Sequence, residues 1–213
     1  MTPKQADAFE KFLRMLDSYG WLPYFMVVGS WAEFLYSEAE VLDGFDPYLR
    51  TMDIDILVRN LRRPSQKVSL VEAARKEGYV LAADYMDGVT KLYDDSGLEI
   101  EFLIGQMGSG TIPALATNVG VTAQALRHLD VLLHNPMEAH WRDMEVIVPK
   151  PEAYAAHKMA INDERKAKAE KDAAEIKELW PYLDRNTFDD IASKMSKRER
   201  AHISCFMEEQ GLQ

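Results

Sequence analysis

Internal disulfide chemistry is closed to this chain, because a single cysteine, Cys205, stands in its 213 residues. That scarcity fits a reducing compartment, and Cys205, in a late helical stretch, reads as a packing residue. No segment approaches the roughly 20 consecutive apolar residues that cross a bilayer. The opening Met-Thr-Pro-Lys runs into a polar–apolar helical pattern in place of the apolar core of a signal peptide. The expectation is a soluble, cytoplasmic protein with no membrane partner. Basic residues are also short, 25 against 35 acidic ones, for a net charge of -10. That balance disfavours broad, sequence-independent DNA binding and leaves room only for a local basic groove. Internal repeats, low-complexity tracts and proline-rich linkers are missing as well.

What is present is enough apolar material, 47% of the chain, for one ordinary core with a smaller helical appendage or for two modest domains. Residues 3–19 carry Ala6, Phe9, Phe12, Leu13 and Leu16 at helical spacing, with Gly20 as a stop. Tyr24 to Val28 is a short β-prone run that ends at Gly29-Ser30, and Trp31 to Tyr36 returns to helical spacing: strand, glycine turn, helix. Residues 37–50 read as a loop or short excursion. Met52 to Val58 has the alternation of a strand, residues 65–78 that of a helix. Tyr79 to Ala83, Thr90 to Tyr93 and Leu98 to Ile104 follow as strands separated by Asp-Gly and Ser-Gly turns. Val131 to His134 and Met144 to Val148 add two candidate strands, and from Pro151 the pattern is helical to the end, broken at Pro181 and Asn186. The fold class expected is α+β: a mixed-sheet domain over residues 1–149 and an all-helical part over 150–213, divided at Pro149-Lys150-Pro151.

The chemistry concentrates in Asp53-Ile54-Asp55. Two aspartates two residues apart in a strand share one face, so their carboxylates crowd each other while Ile54, Ile56 and Val58 bury the other face. A hard divalent cation such as Mg²⁺ relieves that repulsion and completes its shell with water and phosphate oxygens. The plain alternative is a solvated strand face. Gly29-Ser30, opening a helix after a strand, offers backbone N–H groups and a hydroxyl to an anion. Glu99 and Glu101 repeat the alternating-acid pattern on a second strand and could deliver a third carboxylate.

Gly29-Ser30, Asp53-Ile54-Asp55 and an acidic strand together resemble the nucleotidyltransferase superfamily typified by DNA polymerase β and the small antibiotic-modifying transferases. The resemblance implies that Gly29 and Ser30 hold the triphosphate, that Asp53 and Asp55 bind Mg²⁺ or Mn²⁺, and that Glu101 is the third catalytic and metal-binding acid, with Glu99 as its substitute. It implies transfer of a nucleoside monophosphate from a nucleoside triphosphate to an acceptor hydroxyl on a small molecule, protein or RNA, with release of pyrophosphate. A catalytically silent nucleotide-binding or regulatory module of the same fold is the alternative. The sequence departs from compact members by the inserted residues 37–50 and by glutamate where the third acid is commonly aspartate.

In the helical part, Tyr154, Lys158, Ile161, Arg165, Asp172, Ile176 and Leu179 fall on one stripe, about a third of the circumference of a single helix. Lys168 lies at its edge, while Lys171, Glu175 and Glu178 read as solvated. Charges on a docking face need partners, and Lys158 and Arg165 suit phosphate, with Asp172 orienting one of them. An internal Lys–Asp–Arg ion-pair ladder is the competing explanation. His157-Lys158 through Asp172 also resembles the helical motif of type IV abortive-infection toxin transferases, which adds a toxin-like activity to the expectations. Weaker features are His128, His134 and His140, whose six-residue spacing suits loop or core roles better than zinc; Gly108-Ser109-Gly110, read as a flexible connection; the basic Arg59, Arg62 and Arg63; and Trp31 and Trp180 as core.

Overall fold

The structure is a computed structural model, and it describes residues 3–47, 53–59, 69–83, 88–106 and 113–212. Arg62, Arg63 and the Gly108-Ser109-Gly110 segment lie outside the described residues, as do residues 48–50 of the insertion, Met52 of the expected strand and residues 65–68 of the helix expected over 65–78.

The amphipathic first helix, α1 (Pro3–Ser18), buries Phe9, Phe12, Leu13 and Leu16 and ends before Gly20, whose φ of 66° reverses the chain. Strand β1 (Phe25–Val28) leads through Gly29 into α2 (Ser30–Glu38). Then come β2 (Asp53–Val58), α3 (Leu70–Lys76), β3 (Val80–Ala83), β4 (Thr90–Tyr93), β5 (Glu99–Gly105), β6 (Ala114–Ala116) and β7 (Thr122–Leu126). A Ser69–Glu72 capping box sets the start of α3. These seven strands form one mixed sheet, with the path β1-β2-β5-β4-β3 and with β7 also pairing β5. β5 is the pivot: parallel to β2, antiparallel to β4 along its first half and parallel to β7 along its second.

The period-two pattern is obeyed on both central strands. Ile54, Ile56, Ile100 and Phe102 are buried in the main core, which also takes in Phe9, Trp31 and, from the C-terminal helices, Met159, Ile176 and Phe188. The opposite face starts with the acids and turns apolar further along, where Met26, Val28, Leu57, Leu103, Leu129 and Leu132 form a second cluster. One strand face is thus acidic at one end and sealed at the other. The α+β class is as expected, and Trp31 and Trp180 are both in the core.

Three expectations are corrected. Residues 130–134 are a short helix, α4 (Asp130–His134), where a strand over Val131–His134 was expected. Its apolar run is too brief for periodicity to decide, and local bonds hold the turn: the His134 ring to the Asp130 carbonyl, and Asn135 Nδ2 to the Val131 carbonyl. After the separate hairpin β8 (Pro136–Trp141) and β9 (Met144–Pro149), the supposed single long helix is broken. It consists of α5 (Pro151–Ile161), two 3₁₀ turns at Asn162–Glu164 and Lys166–Lys168, and α6 (Ala169–Leu179). Lys166 sits at φ 41° and Asn162 Nδ2 donates to the Ala169 carbonyl, so the chain redirects within these residues and a single helical wheel does not apply. Cys205, on the last helix α8 (Lys197–Gln210) after α7 (Arg185–Lys194), is exposed, because the buried side of α8 is carried by Ile203 and Phe206. The insertion after α2 packs on the helical part: Phe45 lies 5.3 Å from the Tyr182 ring, whose hydroxyl donates to the Gly44 carbonyl.

Candidate active site

Strand register assembles the acidic half of the site. β2 and β5 run parallel with Asp53 beside Glu99 and Asp55 beside Glu101, so all four carboxylates share a face. β1 runs antiparallel to β2 with Val28 opposite Asp55, which delivers the next residue, Gly29, to that aspartate. Gly29 has φ 64° and ψ -156°, a combination open essentially to glycine alone. A Cβ built there would stand 2.6 Å from Asp55 Oδ2, so a side chain is excluded by space as well. Gly29 caps α2 and Ser30 begins it, and both line the same cavity, which places the N-terminus of that helix beside it. The cavity holds about 330 Å³.

The carboxyl of Asp55 is pushed up to about 6, first by burial and then by the charges of Glu101 and Asp53, while Lys168 and Arg165 pull it down. A carboxylate so placed has an unmet demand for positive charge, and with Asp53 on the same face it offers hard oxygen donors. The two aspartates therefore fit a divalent ion of the Mg²⁺ type. The third acid is differently engaged. Lys91, opposite Glu101 on β4, puts its ammonium 2.6 Å from Glu99 Oε1 and against Glu101 Oε1. These bonds raise Lys91 above its usual range, and they hold Glu99 below its own against the opposing effect of burial. Among the described residues, the three-donor set with atoms within 4.8 Å of one another is Glu138, His140 and Glu145 on the exposed β8–β9 hairpin, and none of these lines the cavity.

The opposite wall comes from α5, the 3₁₀ turns and α6. Lys158, 6% exposed, is held by Asp172 at 3.1 Å, by Glu175 and, at 3.8 Å, by Glu33 of α2. Asp172 also takes the Arg165 Nε at 2.6 Å. Burial drives Glu33 up to about 7, opposed by Lys158 and by the Tyr154 hydroxyl that donates to it at 2.7 Å. Lys158 stays above its usual value because the three carboxylates outweigh its burial. Lys158, Asp172 and Arg165 thus form the internal ladder weighed from the sequence, with Arg165 a third exposed at the cavity wall. Glu175 is a correction: expected in solvent, it faces Lys158, because the broken helix turns α6 relative to α5.

A histidine pair occupies the remaining wall. His128 has a left-handed φ of 65°, and its Nδ1 lies 2.7 Å from Glu199 Oε1 on α8. Burial would raise Glu199, but hydrogen bonds from Ser196 and His128 keep its carboxyl below the usual range, so it accepts as a carboxylate. His157 on α5 donates its Nδ1–H to the His128 carbonyl at 2.9 Å. Burial first, then the charges of Arg165 and Lys158, lowers His157 to about 4, against the pull of the His128 carbonyl, and the ring is neutral at ordinary pH.

Gly29, Ser30, Asp53, Asp55, Glu101, Lys158, Arg165 and Asp172, all singled out in the sequence, line this one cavity. Arg59 does not; its guanidinium donates to the Pro23 carbonyl. Lys91, Glu33 and Glu199 were missed as functional candidates, while His128 was read as a loop or core residue and His157 was named only as part of the helical motif. Lys91 carried a usable signal, a lone cation on a strand beside an acidic one; Glu33 and Glu199 carried none, since their partners are more than 70 positions away.

Residues 8–198 match the model of a protein family described as Nucleotidyltransferase. The crystal structure of an antigenic nucleotidyltransferase-like protein from Paracoccidioides brasiliensis is similar with a TM-score of 0.59 at 14% identity, over 99% of this chain and 91% of that one. A structure of the lincosamide antibiotic adenylyltransferase LnuA with lincomycin bound gives a TM-score of 0.47 at 16% identity, over 82% of this chain and 97% of that one. No curated protein sequence matches. Among the described residues, no helix is long and apolar enough to cross a membrane.

Proposed function

The chain belongs to the nucleotidyltransferase family, and from that premise we propose that it moves a nucleoside monophosphate from a nucleoside triphosphate to an acceptor hydroxyl, releasing pyrophosphate. The carrying observation is the meeting of Gly29 with Asp55 at one end of a cavity whose other wall holds Arg165 and Lys168. Asp53 and Asp55 hold Mg²⁺ or Mn²⁺ in this reading, and the ion supplies charge neutralisation at the reacting phosphate. The N-terminus of α2 and Ser30 receive the triphosphate. Arg165 and Lys168, the cations acting on Asp55, bind its tail. Lys158 and Asp172 keep Arg165 in place from behind, and Glu101 completes the acidic face. The acceptor stays open among small molecule, protein and RNA.

The test is pyrophosphate release from Mg²⁺ and each nucleoside triphosphate, comparing the wild type with Asp53→Ala. Loss of release with an unchanged circular dichroism spectrum supports the reading; undiminished release refutes it. The bridge from Lys91 to Glu101 favours a second reading, a silent nucleotide-binding module, since a cation of the chain itself already occupies the third acid. Calorimetric binding of the triphosphate with no pyrophosphate released would establish that one instead.

A further inference from the structure

With Glu101 tied to Lys91, the same cavity is lined by another group able to accept a proton, His128. The Nδ1 of His128 can only donate to the Glu199 carboxylate, so the neutral ring keeps its proton there and leaves Nε2 as a lone-pair base. Two further bonds hold the pair, one on the His128 backbone and one on the Glu199 carboxylate. His157 donates to the backbone carbonyl of His128, and the Ser196–Glu199 capping box, with the Ser196 N–H 2.8 Å from Glu199 Oε2, holds the carboxylate. The cavity that His128 lines is the one that contains Gly29, Asp53 and Asp55.

We infer that His128 takes the proton from the acceptor hydroxyl and that Glu199 is the positioning residue that fixes its tautomer, an inference that rests on the nucleotidyl-transfer reading. In the step, the acceptor O–H bond breaks as its proton moves to His128 Nε2, and the oxygen's electron pair forms the bond to the α-phosphorus. The bond from that phosphorus to the bridging oxygen breaks, and its electrons leave with pyrophosphate. The imidazolium, stabilised by the Glu199 carboxylate, returns its proton to solvent. Such proton transfer contributes about 10²- to 10⁴-fold to a rate.

The experiment follows pyrophosphate release from Mg²⁺ and a mixture of the four ribonucleoside triphosphates, with molar glycerol as the hydroxyl acceptor. Its variants are His128→Asn, His128→Gln and Glu199→Ala. Asparagine tolerates the left-handed conformation, so His128→Asn separates chemistry from backbone strain. The expected result is a kcat lower by about 10²-fold or more in both His128 variants, with triphosphate affinity by calorimetry unchanged. In ¹⁵N NMR, the wild-type His128 ring is expected as the Nδ1–H tautomer and should move toward Nε2–H in Glu199→Ala. Wild-type kcat in His128→Asn, a parallel loss of triphosphate binding, or an Nε2–H tautomer in the wild type each overturns the inference. If release survives His128→Asn but not Asp53→Ala, the inference fails alone; if the wild type releases no pyrophosphate, the transfer reading falls and takes the inference with it.

Discussion

The point where a Cβ on residue 29 would lie is 2.6 Å from Asp55 Oδ2, so the Asp55 carboxylate occupies space that a side chain on residue 29 would need. The sheet forces this closeness, because β1 ends beside Asp55 and the chain must turn immediately with φ 64° to begin α2. Gly29→Ala should therefore displace Asp55 and strain the turn together. We expect a stability loss of about 1–3 kcal/mol in urea unfolding and loss of Mn²⁺ binding by calorimetry.

Asp55→Asn should stabilise the protein as it inactivates it. The folded carboxyl titrates near 6 against 3.8 for the free group, so the native state holds its proton more tightly than the unfolded chain. Stability falls as pH rises between those values, and the penalty stands in full above them. The asparagine variant should gain on the order of 3 kcal/mol at pH 8 and nothing at pH 3.5, as read from urea unfolding at both.

Divalent ion binding should carry the same signature. Protons compete with the ion for Asp55, so Mn²⁺ affinity should drop steeply as pH falls below about 6 and level off above it. A flat profile from pH 5 to 8 would remove Asp55 from the ligand set.

Arg165→Ala and Lys168→Ala each delete a positive charge that lowers the Asp55 pKa. Each should weaken triphosphate binding by about tenfold, equivalent to ~1.4 kcal/mol, and should shift the Mn²⁺ binding midpoint to higher pH. An unchanged midpoint in both variants would place these cations away from the acids.

Lys158→Met removes the buried cation that Asp172, Glu175 and Glu33 surround. Uncompensated buried carboxylates are expensive, and the loss should reach about 3–5 kcal/mol. The sign with pH is set by Glu33, which burial raises and Lys158 lowers: without Lys158 its native carboxyl rises further, so the deficit grows as pH increases. Unfolding curves at pH 6 and pH 8 should show the larger deficit at pH 8.

The acidic face, the Gly-Ser turn, the α+β class and the family were legible in the sequence because each is encoded locally. Alternation places Asp53 and Asp55 on one side of β2 whatever surrounds the strand, and a glycine between a strand and a helix marks a turn that needs its conformational range. The residues of the far wall were legible in identity but not in geometry. Lys158, Arg165 and Asp172 were picked from a continuous helical stripe, and they meet although the helix breaks between Ile161 and Ala169.

Tertiary structure alone decided which partner each charge takes. Lys91 reaches Glu101 because β4 pairs with β5, Glu33 reaches Lys158 where Tyr36 of α2 meets Tyr154 of α5, and Glu199 reaches His128 because α8 packs on α5, whose His157 bonds the His128 carbonyl. Period and propensity report which side of its own element a residue faces. Pairing across 71 positions, as between His128 and Glu199, depends on how whole elements pack, and a single sequence carries no local trace of it.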